Sequence, residues 1–227
     1  MTSPARTGTG SKLTKQRIGI IGAGFAGISS AKILADFGFD TVVFEKDPEV
    51  GGVWASSRRY PGLKTQNVRS TYSFSDFPYP KGTPEWPSGQ QVQNYISSYC
   101  SHFNLKGRIH LNTTVESALL NEGSNMWTLR VYHTTLGARN EIFDFLIVAN
   151  GVFSDPLVPL YKGAEEFTRS GGRIVHTIDC HEVSDLKDKD VVVIGYGKSA
   201  CDLAIATVEF SARTTVVANH LIWKVPE

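Results

Sequence analysis

The sequence predicts an α/β fold built from two Rossmann-like units, the second only begun. Three observations carry this. A strand–glycine-loop–helix–strand pattern opens at Arg17, a similar one opens at Asp190, and alternating strand-like segments lie between them. With 227 residues the chain is long enough for one large domain or two small ones. Hydrophobic residues make up 41% and charged residues 20%, as in an ordinary globular protein. The formal net charge of +1 gives no electrostatic reason to expect nucleic acid or an anionic membrane as partner.

The first unit has every part in order. Arg17 to Ile21 is a short apolar run suited to a buried parallel strand. Gly22-Ala23-Gly24-Phe25-Ala26-Gly27 is a complete GxGxxG. Gly22 permits the tight turn, Gly24 lets backbone approach a pyrophosphate, and Gly27 lets helix and strand pack closely. Ile28, Ala31, Ile33, Leu34, Ala35 and Phe37 give the following helix an apolar face, and Gly38 is placed to end it. The helix mouth offers N–H groups and a positive dipole end to phosphate. A second strand, Thr41 to Phe44, ends at Glu45, where an acid can accept from a ribose 2′-hydroxyl. That acid favours FAD or NAD over a ligand carrying a 2′-phosphate there.

Lys46 follows the acid, and Gly51-Gly52-Val53-Trp54 comes next. By themselves the GGVW words fit a turn with a core tryptophan. Tyr60 to Pro80 is aromatic, proline-rich and polar, a poor helix and a poor strand, and reads as a long loop packed by its own aromatics. Ser88 is a candidate N-cap with Gln91 at the capping-box position, and Val92, Tyr95, Ile96 and Tyr99 form a helical core stripe. "RIHLNTTVESALL" and "MWTLRVYHTT" alternate as strands around a turn at Gly123, which suggests a small inserted β-meander. Phe143 to Gly151 reads as a buried strand ending in a small-residue turn.

The second unit starts with "DVVVI", Asp190 to Ile194, again a buried-strand pattern. Gly195-Tyr196-Gly197-Lys198-Ser199-Ala200 follows, with alanine at the third glycine position, then a helix through Leu203 and Ala206 and a strand from Thr214 to Ala218. Two such units imply two dinucleotides, FAD in the first and NAD(P)H in the second. Ala218-Asn219-His220 supplies no carboxylate to repel a 2′-phosphate, which leans toward NADPH. Asn219 follows the strand, and His220 and Lys224 are the cationic candidates.

From Arg17 onward these words resemble the flavin-containing monooxygenases and the related Baeyer–Villiger monooxygenases. The resemblance implies that Gly52, Val53 and Trp54 run near the flavin, that Gln66 and Asn67 lie over its ring with Asn67 in the catalytic role, and that Val115 meets the adenine. It matches Asn150 to the element closing the flavin domain, where threonine is more usual. Gly172 and His176 match part of the family's identifying pattern, with Ser170 and Cys180 in place of its aromatics; His176 equally suits a satisfied polar residue at a hinge. The chemistry implied is hydride transfer from NADPH to FAD, then delivery of one oxygen atom to nitrogen or sulfur, or to a carbonyl, of a small molecule.

The expected organisation is a flexible leader at 1–15, an FAD-binding domain at 16–155 and a partial NAD(P)H-binding domain at 156–227. Family members continue for a comparable length again, so the expectation is a truncated or split form, with a homodimer or a complementing chain to close the open edge. A flavin-binding protein without oxygenase activity, using the cofactor structurally or for isomerisation or elimination, and an inactive truncated form stay open beside it. Cys100, Cys180 and Cys201 form no CxxC, which speaks against a flavin disulfide reductase and for reduced thiols in a cytoplasmic setting. The six histidines show no metal-ligand spacing, and no apolar run reaches the roughly 18 residues of a membrane span.

Overall fold

The computed structural model describes residues 15–220. Residues 1–14 of the leader and Lys224 lie outside the described residues. The first unit runs β1 (Arg17–Ile21), α1 (Phe25–Asp36) and β2 (Asp40–Phe44). After the long loop come α2 (Gly89–His102), β3 (Ile109–His110), β4 (Thr113–Asn121), β5 (Met126–His133), β6 (Gly137–Phe143) and β7 (Phe145–Val148). A connecting stretch holds α3 (Ala164–Arg169), and the second unit is β8 (Asp190–Ile194), α4 (Lys198–Thr207) and β9 (Arg213–Val217).

The main sheet is parallel, in the order β3-β2-β1-β7. Strand alternation divides its side chains between two faces. Ile18, Ile20 and Val43 face α1, α2 and the aromatic loop. Val42 and Phe44 face the antiparallel meander β4-β5-β6, where they meet Leu129, Val131 and Phe143. Gly19 sits between Ile18 and Ile20, on the meander side. A Cβ there would stand 3.1 Å from the Phe143 ring and 3.2 Å from Leu129, so the meander lies down on bare backbone. Each fully buried Leu, Val or Phe contributes about 1.5–3 kcal/mol, and both faces of this sheet collect such residues.

α1, α2 and α4 form where expected, whereas α3 was not foreseen and Ile33 and Phe37 of the expected apolar face are exposed. α1 ends with Gly38 at φ +89°, and Gly38 and Phe39 donate back to Ala35 and Leu34, as in a Schellman close. Ser88 accepts from the Gln91 N–H at 3.3 Å while Gln91 Oε1 accepts from the Ser88 N–H at 2.9 Å, the reciprocal capping box. Val92, Tyr95, Ile96 and Tyr99 are all buried. The 60–80 segment has no strand or helix, and Tyr72, Phe74, Phe77 and Tyr79 pack it onto the same core.

Three expectations need correcting. "RIHLNTTVESALL" is not one strand: Ile109 and His110 join β2 in the parallel sheet, and the meander begins only at Thr113. Phe143 to Gly151 is not one strand either. Phe143 closes β6, and Phe145–Val148 forms a separate edge strand whose Phe145 and Val148 are exposed. "DVVVI" is not a buried strand: among the described residues β8 pairs only with β9, Val192 and Ile194 are more than half exposed, and only Val193 is buried. An apolar run records the capacity to be covered, not the cover.

Candidate functional site

The mouth of α1 is assembled from four separate pieces of chain. Gly22 takes φ +99°, and a Cβ on it would stand 2.5 Å from the Ala149 carbonyl oxygen and 3.2 Å from Asn150 Cα. Its N–H donates to the Phe44 carbonyl at 2.8 Å, fixing the loop to the end of β2. The Gly51 N–H donates to the Ala23 carbonyl at 3.0 Å, which brings the GGVW turn alongside. There Gly52, at φ +58°, faces Gly24; a Cβ on Gly24 would meet only Gly52 Cα, at 3.8 Å. The Gly24 backbone is therefore open in the direction a side chain would fill, whereas Gly27 is not: its Cβ would fall 1.9 Å from the Gly22 carbonyl oxygen.

No side chain caps α1, and its first turn carries no acid. The orphan N–H groups of Phe25, Ala26 and Gly27 and the positive dipole end thus remain for an anion. Glu45 is nearly buried beside them. Its Oε2 accepts from the Ala23 N–H at 2.7 Å and its Oε1 from the Asp47 N–H at 3.0 Å. A carboxylate has about four lone-pair sites, so two remain for ribose hydroxyls. Charge, room and acceptor thus fit the diphosphate and sugar of a dinucleotide.

The other site candidates fall around this mouth to different degrees. Asn150 adjoins Gly22 through its backbone, and its side chain is exposed. Val53 is exposed, while Trp54 is buried and its indole N–H donates to the Tyr72 hydroxyl at 3.1 Å. Tyr72 in turn packs edge-on against Phe25, with centroids 5.0 Å apart. Through these rings the loop bearing Gln66 and Asn67, both exposed, is fastened to the helix mouth. Val115 is half-buried, two residues beyond Thr113, whose N–H donates to the Glu45 carbonyl at 2.8 Å. Lys46 turns elsewhere, donating to the Ser154 carbonyl at 3.3 Å and pairing with Asp155 at 3.1 Å. His176 accepts from the Ile178 N–H at 3.2 Å.

The mouth of α4 repeats the loop geometry. Gly195 takes φ +121° and its N–H donates to the Val217 carbonyl at 2.8 Å; Gly197 precedes the helix and has open space where a Cβ would be. Lys198 Nζ lies 2.8 Å from Asp202 Oδ1. Ser199 contacts the Tyr60 hydroxyl, which donates to Asp202 Oδ2 at 3.1 Å. Asn219 and His220 are exposed after β9.

Sequence reasoning passed over the Tyr60–Asp202 contact and the grip of Arg58 on the Phe153 and Ser154 carbonyls, at 2.7 and 2.6 Å. The adjacent arginines before "YPG" were the available signal. Among the described residues no cluster could hold a metal ion, and no helix is long and apolar enough to cross a membrane. The three cysteines are free, and burial pushes the Cys100 thiol up to about 12, which makes it inert as a thiolate.

Known proteins resemble this chain in sequence and fold. The chain is 30% identical over 210 residues to the probable indole-3-pyruvate monooxygenase YUCCA10 of Arabidopsis thaliana, covering 90% of this chain and 53% of that one. It is 28% identical to senecionine N-oxygenase of Tyria jacobaeae, covering 91% and 47%. Among solved structures, an oxidized steroid monooxygenase bound to NADP superposes with a TM-score of 0.77 at 30% identity, covering 89% of this chain and 38% of the other. The chain thus spans about half the length of the curated relatives it matches. The profile described as Flavin-binding monooxygenase-like matches residues 15–225, nearly all of the sequence, and with the paired helix mouths in place the chain belongs to that family.

Proposed function

We propose that this chain carries the FAD site and the opening part of the NADPH site of a flavin-dependent monooxygenase acting on a small molecule. The observation that carries the reading is the uncapped α1 mouth with Gly24 open beside it and Glu45 buried at its side. Gly22, Gly24, Phe25, Ala26 and Gly27 would hold the FAD diphosphate, Glu45 the ribose, and Gly52, Val53 and Trp54 the approach to the ring. Gly195, Gly197, Lys198 and Ser199 would hold the NADPH diphosphate. Bound FAD would supply hydride acceptance and reaction with dioxygen, leading to N- or S-oxygenation or Baeyer–Villiger insertion. The protein's share is to orient both cofactors and shield the flavin edge from water, with Gln66 and Asn67 on the covering loop and Asn67 nearest the chemistry. Val115 and Asn150 would line the adenine and ring ends.

The proposed divisions are an FAD-binding part at 16–155 and an NAD(P)H-binding part at 156–227, in a cytoplasmic setting supported by the free cysteines. The exposed β8–β9 pair supports closure by a second copy or a complementing chain. That same exposure supports the second reading, a bound flavin that the nicotinamide does not reduce.

Anaerobic titration with NADPH and with NADH, followed by visible absorbance, tests the proposal. Yellow protein bleached by NADPH is the expected result. Retained colour under NADPH selects the second reading, and protein that stays colourless after soaking with FAD removes both. Gly24→Val should cost the flavin while leaving the folded protein intact, because its side chain would occupy the room a diphosphate needs.

A further inference from the structure

The segment 58–62 joins parts of the molecule that are far apart in sequence. Arg58 grips the connecting stretch at Phe153 and Ser154. The Arg59 carbonyl lies 3.2 Å from His181 Nδ1. Tyr60 reaches Asp202, and Gly62, at φ +81°, presses so near α4 that a Cβ would stand 3.1 Å from the Asp202 carbonyl oxygen.

Asp202 is the centre of this contact. Its side chain is 10% exposed, and its two oxygens are divided between two partners: Oδ1 accepts from Lys198 at 2.8 Å and Oδ2 from Tyr60 at 3.1 Å. A carboxylate so enclosed stays in place only while both oxygens are satisfied. Burial, with the Asp202 charge adding to it, raises the Tyr60 phenol to about 12, so it remains a donor at every ordinary pH. Lys198 is the first residue of α4, directly after Gly197. Asp202 is thus one of the groups that set where that ammonium stands at the helix mouth.

We propose that Tyr60 is a positioning residue for the second dinucleotide site: through Asp202 it fixes Lys198 at the mouth of α4 and fastens that mouth to the loop bearing Gln66 and Asn67. The dinucleotide half of this statement rests on the reading that α4 receives the NADPH diphosphate; the latch itself rests on the geometry alone. Ligand drawn to the α4 mouth would pull on the loop that covers the flavin, and loss of the phenol would uncouple the two.

Tyr60→Phe, Asp202→Asn and the double variant, each prepared as the whole chain with FAD, test it. Two readouts are needed. In NADP+ titrations, Tyr60→Phe and Asp202→Asn should each raise the dissociation constant about tenfold, and the double variant no further, because they act as one unit. Flavin content should not change. Tyr60→Phe should also flatten the salt dependence of binding, since a displaced Lys198 contributes less charge attraction; general loosening of the fold would leave that slope alone. Without dinucleotide, amide exchange over residues 198–203 should quicken about tenfold in Tyr60→Phe. Unchanged exchange there, or single-variant effects that multiply in the double variant, overturns the proposal. If the parent protein binds no NADP+ but exchange still quickens, the second-site reading falls and the latch stands.

Discussion

The two βαβ units are alike at the loop and unlike everywhere else. In each, a glycine at positive φ sends its N–H to the end of the second strand at 2.8 Å, Gly22 to Phe44 and Gly195 to Val217. The residues before the helices, Gly24 and Gly197, share nearly the same backbone angles, −80°/−171° and −77°/−179°. The surroundings then part. β1 lies between two strands with helices on one face and a meander on the other, and Ile20 is wholly buried. Among the described residues β8 has one neighbour, and Val192 is 59% exposed. A phosphate-binding loop is thus a local construction that needs only a strand end and a helix start, while the layers that stabilise it come from distant sequence.

The third fingerprint position sharpens the contrast most. Gly27→Ala would drive a methyl to within 1.9 Å of the Gly22 carbonyl oxygen, a backbone atom that cannot swing aside. We expect a loss of about 3 kcal/mol, read by urea denaturation, with flavin affinity lost as well. In the second unit alanine already holds this place, and a Cβ on Gly195 would reach Ala200 Cβ only at 3.7 Å. A Gly27→Ala protein as stable as its parent would mean that the two loops are equally tight, and the comparison would fail there.

Next in size is Glu45, which has no counterpart after β9. Both its oxygens hold backbone N–H groups in a nearly buried place. An amide offers one oxygen and sets its NH2 against the other N–H. Glu45→Gln should therefore cost about 2 kcal/mol without any ligand, and more when FAD is bound. Equal loss with and without FAD would confine Glu45 to loop structure. The reverse exchange in the second unit, Ala200→Gly, should cost only about 1 kcal/mol, the ordinary penalty for glycine in a helix, by the same denaturation assay.

What could be read in advance follows the same division. The loop residues Gly22 to Gly27, Glu45 and the Ser88/Gln91 cap were legible because each follows a fixed spacing in the sequence: the GxGxxG, an acid at the end of the second strand, and a cap three residues from its partner. The assembly of the mouth was not. That Gly51 bonds to Ala23, that Asn150 backs onto Gly22, and that β3 joins β2 are facts of long-range pairing, which leave no periodic trace. The β6 strand was passed over because "GARNEIF" is polar on its open face and carries a single deeply buried residue, Phe143. The exposure of "DVVVI" was unreadable for the converse reason: its composition is that of a covered strand.

The smallest test concerns how each unit's leading strand is anchored. Arg17, opening β1, meets Glu141 of the meander at 2.6 Å, with that carboxylate's side chain 15% exposed. In the second unit Arg213 and Asp190 stand 3.8 Å apart and both are about three-quarters exposed. Burial opposes ionisation of Glu141, but the hydrogen bonds from Arg17 and Arg139 outweigh it and hold its pKa below 4.5. A carboxylate lowered on folding contributes stability that is present above its unfolded value and lost as pH falls through the folded one. Between those two values the unfolded chain binds the extra proton, so acid works against the folded state. Glu141→Gln should lower stability at neutral pH by less than about 1 kcal/mol, because the pair is still partly screened by water. The gap to the parent should close on acidification below the folded pKa. Asp190→Asn should shift nothing at either pH. If the two variants behave alike in urea denaturation at neutral and acid pH, the meander does not brace the first sheet electrostatically, and its hold is the packing of Phe143 and Leu129 over Gly19 alone.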